Sequence, residues 1–255
     1  MENHASFYSK GTVINWFLSL GRKKLYNYIV GGGYDTVICT HPFATVTLAA
    51  ALDGKDINVK TAFVSTDYTC APTINRSGID TYFIPDATLI PEFEAYGIDS
   101  AKLSPSGIPV KQVFYKKTNM ADAKKALGIN PKNKHLLVMC GSMGCGPIKN
   151  IVTHISDKMP KNTEITVVCG TNKRLKTSLG KLAKSNSNIH IKGFVDNMPL
   201  YLDSTDLYLT KPGGLSTSEA VSKSVPMVFI NAVAGCEAHN LKHFVNLGVA
   251  VTDEN

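Results

Sequence analysis

Short runs of apolar, mostly β-branched residues alternate along the chain with longer stretches whose apolar positions recur every three or four residues. The runs YDTVICT (34–40), NVKTAFVST (58–66), TYFIP (81–85), KHLLVMC (134–140), EITVVCG (164–170), NIHIKG (188–193), DLYLT (206–210) and VPMVFI (225–230) predict strands. The stretches Ala44–Leu52, Asp86–Tyr96, Met120–Leu127, Pro147–Met159, Asn172–Ala183, Asn197–Leu202 and Leu215–Ser224 predict helices. Strands that are apolar at nearly every position are covered on both faces. The alternation therefore predicts an α/β fold of parallel sheets built from βαβ units.

The periodicity breaks at SPSGIPVKQVF (104–114), where two prolines and a glycine interrupt it. Two doubly wound units are expected, residues 1–108 and 109–255. The first opens on helical material without a glycine-rich strand–helix turn, and the second stops at TDEN, so both are expected to be incomplete.

Composition narrows the functional classes. With 44% hydrophobic and 18% charged residues the chain is globular, and its net charge of +7 favours anionic partners. The lysines are scattered rather than interleaved with aromatics in a stripe, which argues against nucleic acid. Six cysteines form no CxxC pair, and several fall in strand runs, as expected of buried free thiols. His239 and His243 have helical spacing but lack the Glu of HExxH, so no metal site is expected. VINWFLSL (13–20) is too short to span a bilayer. It either lies in a membrane interface, with Trp16, Phe17 and Leu18 in lipid and Arg22, Lys23 and Lys24 at headgroups, or packs as a helix on the sheet.

Two strand ends carry candidate chemistry, and open α/β sheets bind ligands at such ends. HLLVMCGSMGCGPIKN runs a buried strand into Gly141, Ser142, Gly144 and Gly146 before Pro147 opens a helix. Glycines let a backbone approach a phosphate, and a helix N-terminus offers free N–H groups. DLYLTKPGGLSTSEA places the turn Lys211-Pro212-Gly213-Gly214 before a helix bearing Glu219, a carboxylate able to accept both hydroxyls of a ribose. Each also has a plain structural reading, as a tight strand–helix turn and as an acid near a helix start.

TKPGGLSTSEA, followed by VPMVFINAVAGCEAHN, resembles the nucleotide-binding signature of glycosyltransferases with two Rossmann-like units, the GT-B fold. The resemblance is to the branch of monogalactosyldiacylglycerol synthases and diacylglycerol glucosyltransferases, with the lipid II-forming N-acetylglucosaminyltransferase more distant. THP (40–42), TDYTCAPT (66–73), SGIPVKQVF (106–114), GSMGCGPI (141–148), VVCGTNKRL (167–175) and IKGFVDNMP (191–199) match in order. The resemblance implies a GT-B fold with a cleft between the units and an incomplete amino-terminal unit. It also implies an inverting transfer of hexose from a UDP-sugar to a diacylglycerol-type lipid. No cofactor or metal is implied. The enzyme would sit peripherally on the cytoplasmic face of an anionic membrane.

By the same resemblance Phe194 and Val195 cover the uracil, Lys211, Gly213 and Gly214 lie at the diphosphate, and Glu219 holds the ribose. Ser142, Gly144 and Gly146 form the phosphate loop, and Lys111 stands where the family often has Arg. Asp67 is the preferred base for the acceptor hydroxyl and His41 the second candidate. The chain departs from the family at Gly235-Cys236-Glu237-Ala238-His239-Asn240. Glu237 and Asn240 persist there, but Cys236 replaces the Gln that contacts the donor sugar, and a thiol cannot substitute for an amide. The His and Trp after the family's T-D-x motif are also lacking, as is its glycine-rich amino-terminal loop. Two alternatives follow: a donor-binding module that depends on a second chain for the remaining segment, or a UDP-sugar 2-epimerase on the same fold.

Overall fold

Every strand pairing in the computed structural model is parallel. The structure describes residues 20–71, 73–74, 78–141, 143–144, 146–230 and 235–252. The chain divides into two compact units, Met1–Pro109 and Val110–Asn255.

In the first unit β1 (Thr36–Cys39), β2 (Lys60–Val64), β3 (Thr81–Ile84) and β4 (Leu103–Pro105) form a sheet in the order β1-β2-β3-β4. Helix α1 (Arg22–Gly31) packs against α2 (Pro42–Leu52). The Ala- and Leu-rich sequence of α2 favours helix. Pro42 opens it, and its backbone leaves towards β2 through Gly54, whose φ of 64° suits a residue without Cβ. Leu48, Phe63, Ile84 and Phe93 centre the core. The expected helix 86–96 is divided: a 3-10 turn at Ala87–Leu89 precedes α3 (Ile90–Ala95), because Pro91 fits only a first helical turn.

In the second unit β5 (Lys134–Met139), β6 (Thr163–Val168), β7 (Ile189–Lys192), β8 (Leu207–Thr210), β9 (Met227–Phe229) and β10 (Ala250–Thr252) take the order β10-β9-β8-β5-β6-β7. The helices are α4 (Met120–Ala126), α5 (Ile148–Lys158), α6 (Lys173–Ser185), α7 (Met198–Asp203), α8 (Gly214–Ser222) and α9 (Cys236–Asn246). Renumbered within the unit the order is 3-2-1-4-5-6, the doubly wound arrangement of dinucleotide folds. Residues 135–138 of β5 are buried in succession, as a strand covered on both faces requires. Ile148 and Val152, one turn apart on α5, close one face over Leu209, Ile165 and Val167.

The amino edge of this second sheet is pinned by ionic and polar contacts. Asp206 receives Lys124 Nζ at 2.6 Å, the His135 N–H at 2.9 Å and Lys134 Nζ at 3.0 Å. Burial pushes its carboxyl pKa up, but these donors outweigh that and hold it below the usual range. Glu164 accepts from the Asn130 N–H and Asn133 Nδ2, both at 2.9 Å, and pairs with His190 at 2.7 Å. Lys223 binds Asp203 at 2.9 Å and the Lys116 carbonyl. Each charge taken from water here has partners, which is the condition for its burial to be tolerable.

His135 lies within that edge, only 1% exposed, with Nδ1 3.2 Å from the Ser204 carbonyl and Nε2 2.8 Å from Thr166 Oγ1. Desolvation brings its pKa down from 6.5 to about 4. The unfolded chain therefore binds a proton between pH 6.5 and about 4 that the folded chain refuses, so stability falls as pH drops through that window. The full effect is on the order of 3 kcal/mol. Urea unfolding at pH 7 and pH 4 should show a pH-dependent loss that His135→Gln largely removes; an unchanged loss in the variant would assign the acid sensitivity to other groups.

Candidate functional site

The reversal of strand order between β5 and β8 sends their following connections away from each other and leaves a crevice at the carboxyl edge of the sheet. Each strand ends there in a special turn. Sequence expectation placed thirteen donor-site residues in this unit, and the crevice brings most of them to a single edge.

After β5 the chain turns through Gly141 (φ 68°), Gly144 (φ 55°) and Gly146 (φ 105°), all in backbone regions that favour glycine. The Gly144 N–H closes the turn on the Gly141 carbonyl at 3.1 Å. A Cβ at Gly144 would lie 2.5 Å from the Cys169 carbonyl oxygen, so no side chain fits. Asn172 holds the loop from the next connection: its Nδ2 donates to the Gly144 carbonyl at 3.1 Å, while its Oδ1 caps α6 at Leu175 N–H, 2.9 Å away. Helix α5 starts at Ile148 without a side-chain cap, leaving its first N–H groups open. Ser142 lies outside the described residues.

After β8 the turn Lys211–Gly214 faces that loop, and a Cβ on Gly141 would sit 3.3 Å from Lys211 Cε. The first turn of α9 clamps it. Glu237 accepts from Lys211 Nζ at 2.6 Å, and the fully buried Asn240 donates to the Pro212 carbonyl at 3.0 Å. The i, i+3 spacing of Glu237 and Asn240 puts both on one helical face. Helix α8 begins at Gly214 with Gly213 as its cap residue and no side-chain cap. Thr217 and Ser218 return their hydroxyls to the Gly213 and Gly214 carbonyls at 2.7 and 2.8 Å, steadying the turn from behind. Cys236 is exposed at the start of α9.

Glu219 stands half-buried on α8 with no hydrogen bond or ion pair to the described residues. Burial raises its carboxyl pKa, and the Lys111 ammonium opposes that rise. Lys111 itself is exposed and precedes a 3-10 turn, Gln112–Tyr115, that packs against α8. Its charge therefore acts on Glu219. Phe194 and Val195 follow β7 at the same sheet edge, Phe194 with 64% of its surface exposed. Among the described residues no cluster of His, Cys, Asp and Glu is arranged to hold a metal.

The two acceptor-side candidates lie in the first unit. His41 caps α2: its Nδ1 accepts the Phe43 N–H at 3.2 Å, and its ring meets Phe43 edge-on at 5.0 Å. Asp67 is half-buried in the turn after β2, where its carbonyl accepts from Ser65 Oγ at 3.0 Å. Glu92 of α3 anchors that turn by accepting from Thr69 Oγ1 at 2.6 Å and the Cys70 N–H at 2.8 Å. Both candidates sit at the carboxyl edge of the first sheet. Trp16, Phe17 and Leu18 lie outside the described residues, whereas Arg22, Lys23 and Lys24 are exposed on α1.

Two contributors escaped the sequence reading. Asn172 was counted only as a helix start, yet it couples two connections. Glu92 drew no separate reading inside the predicted helix Asp86–Tyr96, although an acid in a first turn opposite a T-x-Y-T-C segment is the kind of residue that closes a loop.

The fold is two Rossmann-like α/β units, as in proteins of the GT-B fold, with a crevice at the strand-order reversal of the second. Residues 2–110 match the model of the monogalactosyldiacylglycerol (MGDG) synthase family, and residues 135–254 match the glycosyltransferase family 28 C-terminal domain. The first unit is thus similar to monogalactosyldiacylglycerol synthases and the second to the family 28 C-terminal domain, each match covering less than half of the chain. A processive diacylglycerol beta-glucosyltransferase of Staphylococcus aureus is 28% identical over 95% of this chain, which spans 62% of that relative's length. The structure of Acinetobacter baumannii MurG superposes with a TM-score of 0.66 at 15% identity, covering 92% of this chain and 64% of that one. A UDP-GlcNAc 2-epimerase of Neisseria meningitidis, solved with UDP-GlcNAc bound, superposes with a TM-score of 0.60 at 14% identity, covering 89% and 71%.

Glu219 offers a test that needs no ligand. A carboxyl whose folded pKa is raised costs stability once ionised, fully above the folded pKa and not at all below the unfolded value near 4.3. Glu219→Gln should therefore raise the melting temperature at pH 7.5 and leave it unchanged below about pH 4. A lower melting temperature at pH 7.5 would mean that the ionised carboxylate is satisfied in the folded chain.

Proposed function

We propose that the second unit binds the UDP moiety of a UDP-sugar in the β5/β8 crevice, and that the protein transfers the hexose, with inversion, to a diacylglycerol-type lipid. The observation that carries this reading is the convergence of a glycine loop, a clamped Lys-Pro-Gly-Gly turn and a desolvated, unpaired Glu219 on one strand-order reversal. A carboxylate left unpaired at a cost in stability is a group kept for a ligand, and paired ribose hydroxyls are the donors that suit it. A UDP-sugar bound on this fold in a 2-epimerase supports the choice of nucleotide, and the diacylglycerol glucosyltransferase relative supports the acceptor.

The chemistry then follows. The acceptor hydroxyl oxygen bonds to the anomeric carbon as the bond from that carbon to the diphosphate breaks, through an oxocarbenium-like state. UDP leaves with the electron pair. The uncapped N-termini of α5 and α8 and the Lys211 ammonium stabilise the growing charge on the diphosphate. Phe194 and Val195 cover the uracil, and Cys236 lies where the donor sugar is read.

A base must take the acceptor proton, and the geometry favours Asp67 over His41. Because His41 Nδ1 accepts a backbone N–H, its neutral ring carries the proton on Nε2, so it has no free nitrogen for a second proton while it caps α2. No metal or cofactor is invoked. The exposed Arg22, Lys23 and Lys24, with Leu20, Tyr28 and Val30 also exposed nearby in sequence, suit a peripheral association with an anionic membrane on its cytoplasmic face. Among the described residues no helix is long and apolar enough to cross a membrane.

Calorimetry and a transfer assay on the full chain test the parts separately. UDP should bind, and Glu219→Gln should weaken it by about 1–3 kcal/mol as the ribose hydroxyls lose a charged acceptor. With UDP-hexose and diacylglycerol in anionic vesicles, Asp67→Asn should cut transfer by roughly two orders of magnitude or more while leaving UDP affinity unchanged. Full transfer by that variant would remove Asp67 from the reaction. UDP binding without transfer in the parent would leave a donor-binding module, and conversion of UDP-GlcNAc to its 2-epimer would replace the reading with epimerisation.

A further inference from the structure

The first unit leaves one sheet edge and one sheet face uncovered at the same strand. Helices α1, α2 and α3 send Ile29, Leu48 and Phe93 into a single cluster with Cys39, Phe63, Tyr82 and Ile84. Cys39, Phe63 and Tyr82 lie level across β1, β2 and β3, so that cluster covers one face of the sheet. Ile38, next to Cys39 along the strand, faces the other way and is 61% exposed. Parallel sheets bury both faces, because the crossovers that join their strands carry helices. The edge is bare too: among the described residues β1 pairs with β2 and with no other strand. Free edges are normally guarded by charge, proline or brevity. At the far edge β4 is three residues long and ends in Pro105, whereas β1 reads TVIC.

The second unit shows what belongs there. Its strand β8 is joined to β9 on one side, as β1 is to β2, and is likewise followed by a turn with proline, Lys211-Pro212 beside His41-Pro42. Tyr208 and Thr210 share a face with Phe229, which meets Phe244 of α9 edge-on at 6.1 Å. Leu209, between them, faces the other way, as Ile38 does, yet is only 6% exposed. Two elements cover it: β5 along the other side of β8, and α5, whose Ile148 and Val152 share its cluster. Both belong to the half of the doubly wound order that lies across the reversal. We infer that β1 is the docking edge for such a half-unit carried by a partner polypeptide, an apolar strand parallel to β1 followed by a helix whose apolar face covers Ile38. A second copy of this chain does not fit. The two-fold axis that lays its helices over Ile38 runs along the strands and sets identical residues level, whereas slanted parallel bonds need one strand advanced by a residue. The axis that pairs the strands antiparallel keeps both copies' helices on one face and leaves both Ile38 side chains bare. This inference stands apart from the donor-site reading and gives a second chain a defined place to bind.

The test co-expresses the full chain with a tagged polypeptide, the part of the Staphylococcus aureus relative that lies outside the region this chain spans. A one-to-one complex should co-purify, with slowed amide hydrogen exchange at Thr36–Cys39. Ile38→Lys should weaken that complex by roughly tenfold or more, the scale of a charge placed at the centre of an apolar contact. The same substitution should leave the melting temperature of the chain by itself unchanged, because a side chain that is mostly exposed contributes little to the isolated fold. Ile38→Leu, which keeps the apolar surface, should retain the complex. Absence of a complex, or one that Ile38→Lys forms equally well, would overturn the inference. Slow exchange at Thr36–Cys39 in the chain alone would overturn it too, since the edge would then be covered within the chain. A dimer of the chain alone that Ile38→Lys dissociates would overturn it in favour of a second copy.

Discussion

The parallel pairing of β5 with β8 is the constraint from which the second unit takes its shape. Residues 136–139 run beside 207–210, so two largely buried strands lie side by side although five elements separate them in the chain. Connections that continue from β5 lead to β6 and β7 on one side, and those from β8 lead to β9 and β10 on the other. The two turns that follow β5 and β8 must diverge, so an opening is built at their ends whatever their sequences. Gly141 beside Lys211, with room for a Cβ only at 3.3 Å, shows how closely their bases meet before they part.

The two edges of that sheet use charge in opposite ways. At the amino edge Asp206, Glu164, Asp203, Lys124 and Lys223 are each met by partners at hydrogen-bonding distance, and their chemistry is spent on holding helices to strands. At the carboxyl edge α5 and α8 begin without side-chain caps, and Glu219 is unpaired among the described residues. A fold selected only for stability would treat both edges alike, since each unsatisfied buried group costs about 1–3 kcal/mol. The asymmetry is the physical mark of a site, and it falls where the topology opens the sheet.

Most of the strands were legible because buried parallel strands are nearly continuous apolar runs; KHLLVMC and EITVVCG leave little else to be made of them. β4 and β10 were not, because three residues are too few to carry a period and their pairing is imposed by neighbours. Helix α1 read only as helical material, since it buries a single residue, Ile29, and so lacks a strong apolar stripe. At the site, glycine and proline announced both turns from sequence, because their backbone requirements are local. What remained hidden was pairing across distance. Asn172 holding Gly144 and Glu92 holding Cys70 leave no trace in periodicity.

The Lys211–Glu237 pair sets the terms on which an anion enters the crevice. At 2.6 Å, with both side chains largely covered, the ammonium is already neutralised by its partner. A diphosphate that draws on Lys211 must share it with Glu237, so the lysine's Coulombic contribution is reduced, and its orientation is fixed in exchange. The main positive field for the ligand then falls to groups that no side chain neutralises, the open N–H groups of α5 and α8. That division explains why glycines dominate both turns: backbone can only act as the binding group where side chains do not keep the ligand away, and the 2.5 Å approach of a would-be Gly144 Cβ to the Cys169 carbonyl marks how tightly the loop is drawn back to make that room. Under the proposed donor site, charge on the nucleotide would be met by the backbone and shape by the glycines, with the side-chain carboxylate of Glu219 left to read the ribose.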